Sequence, residues 1–210
     1  MTYHGIRRFL LCASIISLPL FSCANTQDIF KTDSRYRIEA GEIIFLPGLY
    51  TKAEFRLVEM ITRKTDKIGI LTVVPFSEYR DELNLGLAVE GGADTLDLKE
   101  TNNTSRKIDK KKIERLFEIF DKPYICIFWI PQYYKEGSRD FTNQVTIIGR
   151  MYARDTGSTA IGVARYSLNS GCLLGNMISG TQAGYDADIT PLLDQASDKF
   201  IQSMNEELKN

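Results

Sequence analysis

Imidazole is almost missing from this 210-residue chain, whose single histidine is His4, near the amino terminus. Once a leader ending at residue 22 is removed, nothing remains for Ser-His or Cys-His catalysis, or for a histidine-containing zinc site. A positive surplus is missing too, with 26 basic against 27 acidic residues. Loss of Arg7 and Arg8 with the leader leaves 24 against 27, a net charge of −3. A nucleic-acid binder carries a basic excess that neutralises phosphate, so no nucleic-acid partner is expected. Gly171 to Gly184 has no Gly-Lys-Thr phosphate loop. Asp186 and Asp188 lack the spacing and number of ligands that calcium needs, and read as a solvated loop before Thr190. Neither a metal nor a cofactor is expected, and the chain is not read as an enzyme.

What is present begins with a leader. Polar, basic residues from Thr2 to Arg8 precede an apolar run from Phe9 to Phe21, too short to span a bilayer as a helix. The run ends in Leu20-Phe21-Ser22-Cys23, which resembles a lipobox, although Phe21 is bulkier than the usual residue there. Cleavage between Ser22 and Cys23 is expected. A diacylglyceryl thioether on Cys23, with an acyl chain such as palmitate on its freed amine, then gives enough buried chain for stable anchoring. No acidic residue follows at Ala24 or Asn25, which by resemblance to the sorting rule of enteric bacteria implies the outer membrane. The expected division is a signal peptide over 1–22, a lipidated cysteine and tether over 23–40, and one α/β domain over 41–210. That length suffices for one sizeable core.

Within the domain, Glu42-Ile43-Ile44-Phe45-Leu46 before Pro47-Gly48 predicts a buried strand. Thr51-Lys52-Ala53-Glu54 is a capping box, and Phe55, Val58 and Ile61 or Thr62 continue a helical face until Gly69. A second strand follows at Leu71 to Val74. Asp109 caps a helix carrying Ile113, Leu116, Phe117 and Phe120 on one stripe. Three strands come next, around 124–130, 145–152 and 159–166, the last two joined by a hairpin through Arg154-Asp155-Thr156-Gly157. Thr190-Pro191 opens a final helix. The order β-α-β-α-β-β-β-α, with about five strands, predicts a mixed sheet covered by helices. The conformation between Tyr79 and Ser105 is left open.

Tyr133, Tyr134, Arg139 and Phe141 sit between two strands and form a candidate partner contact, since aromatics and arginine are enriched in interface cores. Coverage of the sheet edge by these rings is the alternative. An envelope compartment permits a Cys126–Cys172 disulfide, but the apolar and Gly-rich surroundings of the two residues favour two free, buried thiols.

Ile43-Ile44-Phe45-Leu46-Pro47, Leu71-Thr72-Val73-Val74-Pro75-Phe76-Ser77-Glu78 and Arg150-Met151-Tyr152-Ala153-Arg154-Asp155-Thr156-Gly157, in this order of elements, resemble a known domain. It is the periplasm-facing domain shared by the curli-secretion lipoprotein and the lipoprotein activator of penicillin-binding proteins. The resemblance runs from about Gly41 to Leu208. It implies action by binding an envelope protein or by self-association, without an active site. Long membrane-spanning hairpins, as in the pore-forming branch, have no counterpart here. The alternative is a degenerate cyanophycinase-like hydrolase fold, in which Ala164 would occupy the nucleophile position and Trp129-Ile130 that of the companion Gly-Gly.

Overall fold

A computed structural model describes residues 29–89, 109–130, 144–154, 157–167 and 190–209. The strands are β1 (Ile29–Thr32), β2 (Gly41–Pro47), β3 (Lys67–Ile68), β4 (Leu71–Val73), β5 (Tyr124–Trp129), β6 (Gln144–Ala153) and β7 (Gly157–Ser167). The described helices are α1 (Lys52–Lys64), α2 (Lys110–Phe120) and α3 (Thr190–Glu207). The strands form one mixed sheet in the order β1-β7-β6-β5-β2-β4-β3, with β4, β2 and β5 parallel and every other pairing antiparallel.

The α/β class and the mixed sheet agree with the sequence, but the strand count and order do not: the described residues form seven strands, not about five. β1 lies in the stretch read as tether, and is too short to show a period. It forms because β7 offers an open edge and Phe30 packs over Gly162. β3 was hidden inside the expected first helix. That helix stops at Lys64, where Thr65 turns extended and its hydroxyl bonds to Lys67, so Gly69 instead turns β3 into β4. The apolar residues α1 buries most deeply are Leu57, Val58 and Ile61, with Phe55 only partly covered. After β4, three short 3₁₀ turns carry the chain from Phe76 to Leu87.

Two packing devices hold this sheet. α3 docks where Gly149 and Gly162 oppose each other across β6 and β7. A Cβ on Gly149 would fall 2.4 Å from Phe200 Cζ, and one on Gly162 would fall 2.7 Å from Phe200 Cε2. The paired glycines therefore form a recess that admits the ring, which meets Phe128 and Phe30 edge-on at 5.0 and 5.7 Å.

The second device lies at the end of β4. Pro75 follows closely, and pairing with β2 ends once Val74 N–H donates to the Ile43 carbonyl. The Tyr79 hydroxyl takes the vacant place, accepting from Phe45 N–H at 3.2 Å and donating to the Phe45 carbonyl at 2.9 Å. Its ring is wedged between Phe76 and Phe120, tying α2 to the sheet margin.

Tyr79→Phe leaves both Phe45 backbone groups buried and unbonded, and should cost about 2–3 kcal/mol in urea unfolding. Gly149→Ala should destabilise by about 1–3 kcal/mol through overpacking. Pairing it with Phe200→Leu should recover part of that loss in a double-mutant cycle.

Candidate functional site

All three described helices begin at one edge of the sheet, the edge where the parallel strands β2 and β5 end. α1 starts directly after β2. The α2 residue Lys112 reaches the Ala88 carbonyl beside that edge. Arg56 of α1 bonds to Thr190 at the start of α3. The residues flanking 90–108, 131–143 and 168–189 lie here too: Val89 N–H donates to the Gly48 carbonyl, Ile130 follows β5, and Gln144 pairs with Ser167. In open α/β sheets, ligands bind outside the carboxyl ends of the strands, which makes this edge the candidate site.

Its floor is built by β2 and β5. Gly48 N–H donates to the Phe128 carbonyl, and the buried indole N–H of Trp129 donates to the Val89 carbonyl at 2.9 Å. Gly48 must be glycine because a Cβ would sit 2.3 Å from Trp129 Nε1. Tyr50 then adopts φ 62°, an uncommon left-handed geometry for a non-glycine residue. Its hydroxyl is buried with no hydrogen-bond partner among the described residues. The N-terminus of α1 is closed by its own side chain. The fully buried Glu54 carboxylate accepts from Leu49 N–H at 2.9 Å and Thr51 N–H at 3.2 Å, while Thr51 Oγ1 accepts from Glu54 N–H. Those amides are therefore not open to a bound anion. Asp109 caps α2 in the same way through Lys111 N–H.

Groups with reactive chemistry elsewhere are committed to structure. Cys126 is a free thiol, fully buried in β5, and burial pushes its pKa up, which disfavours the nucleophilic thiolate. Lys64 Nζ donates to Ser197 Oγ at 2.8 Å, but also contacts Asp194 and Asp198 at 2.8 and 2.6 Å. Desolvation pulls the Lys64 pKa down; hydrogen bonds and charge from the two aspartates outweigh it and hold the amine protonated, unable to act as a base. No group of three metal-ligating side chains occurs among the described residues. Ala164 lies within the continuous strand β7, opposite Ile147.

Opposite the candidate edge lies a groove of about 510 Å3 beside Arg37, Glu39, Tyr124 and the Arg154–Asp121 ion pair. Its charges are of both signs and lie close together.

Of the sequence-derived site residues, only Cys126 falls within the described part. Ser22, Cys23, Cys172, Tyr133, Tyr134, Arg139 and Phe141 lie outside the described residues, as do Asp186 and Asp188. Sequence reasoning missed Arg150, fully buried in β6 between Ile127 and Ile161 and on the same face as Tyr152. The alternation Ile148, Arg150, Tyr152 was the available signal, since it places arginine on an inward-facing position.

No known family model matches the chain, and no curated protein does. Among solved structures, the chain is similar at 8% identity and a TM-score of 0.37 to a PelC dodecamer from Paraburkholderia phytofirmans carrying one Leu-to-Met change; the match covers 86% of this chain and 97% of that one. A second PelC dodecamer from that organism matches at 8% identity and a TM-score of 0.34, over 83% and 96% of the two chains. No described helix is long and apolar enough to cross a membrane.

Burial raises the pKa of Tyr79, of Cys126 and of Tyr152, the last against a smaller lowering by Arg150. Together with Lys64, all four groups keep their protons more tightly in the folded state. Each therefore contributes stability that is fully present below its ordinary value and lost above it. Melting temperature should fall progressively from about pH 9, the ordinary thiol value, through the tyrosine value of 10.0 and beyond. Thermal melts between neutral and strongly alkaline pH check this, and Tyr152→Phe should flatten the alkaline slope.

Proposed function

We propose that this chain is a non-enzymatic bacterial envelope lipoprotein, held by a lipid on Cys23 and presenting its α/β domain to a protein or surface ligand. The observation that carries the reading is the leader. A basic start and short apolar run end in Leu20-Phe21-Ser22-Cys23, and the first strand begins six residues later at Ile29. A lipid on Cys23 would thus hold the domain close to the membrane. Ala24 and Asn25 favour the outer membrane over the inner one.

The reading of the domain as a binding module is supported by what its reactive groups do. Cys126 is sealed in the core, and Lys64 and Ser197 are tied to Asp194 in a clamp between α1 and α3. The partner surface we favour is the edge of the sheet where β5 ends and β6 begins, the two strands that flank Tyr133, Tyr134, Arg139 and Phe141. Resemblance to the curli-secretion and penicillin-binding-protein-activator lipoproteins points the same way, towards envelope partners or self-association.

Expression of the full chain should yield a mature protein beginning at Cys23, with a diacylglyceryl group and a further acyl chain visible in its intact mass. Cys23→Ser should abolish that added mass and shift the protein from the membrane fraction to the soluble one. An unmodified Cys23 in the parent chain would sink the reading.

A further inference from the structure

We infer that the groove opposite the candidate edge is a second binding site, which takes a small zwitterion: an amino acid or short peptide carrying one carboxylate and one ammonium group. The inference goes beyond the function proposed above and does not depend on a lipid at Cys23.

The groove is walled from separate parts of the chain. A strap over 33–40 leads from β1 to β2, and both its ends are pinned. At its start, Asp33 N–H donates to the Thr159 carbonyl at 2.8 Å and Tyr36 N–H to the Asp33 carbonyl at 2.9 Å. At its end, Glu39 N–H donates to the Tyr124 hydroxyl at 2.8 Å. Between these points Ile38 packs on the core, while Arg37 and Glu39 on either side of it are exposed and line the groove. The facing wall is formed by Asp121 and Pro123 before β5 and by Arg154 after β6. A volume of about 510 Å3 accommodates a molecule of this size.

The polar groups of the groove are held in place without being used up. Among the described residues, neither the Arg37 guanidinium nor the Glu39 carboxylate has a hydrogen bond or an ion pair, although they stand two positions apart. Tyr124 is only 7% exposed, and a Cβ on Gly41 would lie 3.2 Å from its ring. Its hydroxyl accepts from Glu39 N–H, yet its own proton has no acceptor among the described residues. One donor therefore remains on a fixed, buried side chain. Arg154 is held through a single nitrogen, with Nη2 donating to Asp121 Oδ1 at 2.7 Å and to the Phe117 carbonyl at 3.2 Å. Its Nε and Nη1 make no hydrogen bond among the described residues.

Charge selects the class of ligand. A free guanidinium and a free carboxylate lie beside the Arg154–Asp121 pair, whose side chains are 41% and 85% exposed. So exposed a pair contributes little by itself, and both members can exchange partners. Lys122 nearby is neutralised by Glu42 at 2.8 Å. A plain anion meets Glu39 and Asp121, and a plain cation meets Arg37 and Arg154, so repulsion offsets attraction in either case. A zwitterion satisfies both signs. Its carboxylate takes the donors of Arg37, Arg154 and Tyr124, and its ammonium donates to Glu39 or Asp121.

The test uses the full chain, purified in detergent micelles and labelled with 15N-arginine, and follows the Nε–H signals of Arg37 and Arg154. The probes are L-alanine and dialanine, compared with N-acetylalanine, alaninamide and phosphoethanolamine. Saturable shifts of both signals are expected with either zwitterion, and about tenfold weaker binding with either singly charged alanine derivative. Read at Arg154, Arg37→Gln should remove the discrimination against alaninamide, and Glu39→Gln that against N-acetylalanine. Both residues are exposed, so the urea midpoint of each variant should match that of the parent. Absence of a saturable shift with both zwitterions overturns the site. Equal binding of the singly charged derivatives, or discrimination that survives both substitutions, overturns recognition by paired charges. Tighter binding of phosphoethanolamine than of either zwitterion overturns the amino-acid class and assigns the groove to a zwitterionic lipid headgroup.

Discussion

The seating of Phe200 against Gly149 and Gly162 is the contact on which the rest of the domain depends. It lets α3 approach the sheet closely, and three further links follow from where α3 then lies. Lys64 at the end of α1 reaches Asp194 and Asp198. Asn205 Oδ1 accepts from Gly69 N–H, holding the turn between β3 and β4. Glu207 accepts from the Thr32 amide and hydroxyl of β1. One recess in the sheet thus positions the helix that secures both of its outer strands.

On the other side of the molecule a side chain does the work of a strand. β4 is only three residues long, so β2 would leave backbone groups unbonded inside the core. Tyr79 supplies one hydroxyl that both donates and accepts, a capacity that few side chains have. Phe55, Phe76 and Phe120 continue the ring contacts from α1 to α2, so the gap in the ladder becomes a joint between the two faces.

The sequence was legible where a pattern ran long enough to repeat. The apolar stripe of α2 is buried at Ile113, Leu116, Phe117 and Phe120, as its spacing predicts, and the Thr51–Glu54 capping box is present. β6 and β7 pair antiparallel, as the sequence predicts for adjacent strands. β1 and β3 were illegible because four and two residues carry no period, and both depend on contacts far away in sequence. The recess for Phe200 was illegible for a related reason: Gly149 and Gly162 each read as an ordinary strand glycine until register sets them opposite one another. The edge where the helices begin follows from topology rather than from any motif. Its capping groups could be read from sequence, while the buried position of Arg150 could be reached only through its alternation with Ile148 and Tyr152.

The hydrogen bond between Thr32 and Glu207 joins positions 175 apart, nearly the whole span of the domain. The first strand is therefore finished by the last helical turn. During synthesis, the outward amide of Thr32 has no cap until Glu207 has been made. Closure of this strand therefore waits on a segment 175 positions further along the chain. Such long-range closure is slow compared with local helix formation, and meanwhile leaves the sheet margin exposed to pairing with other chains.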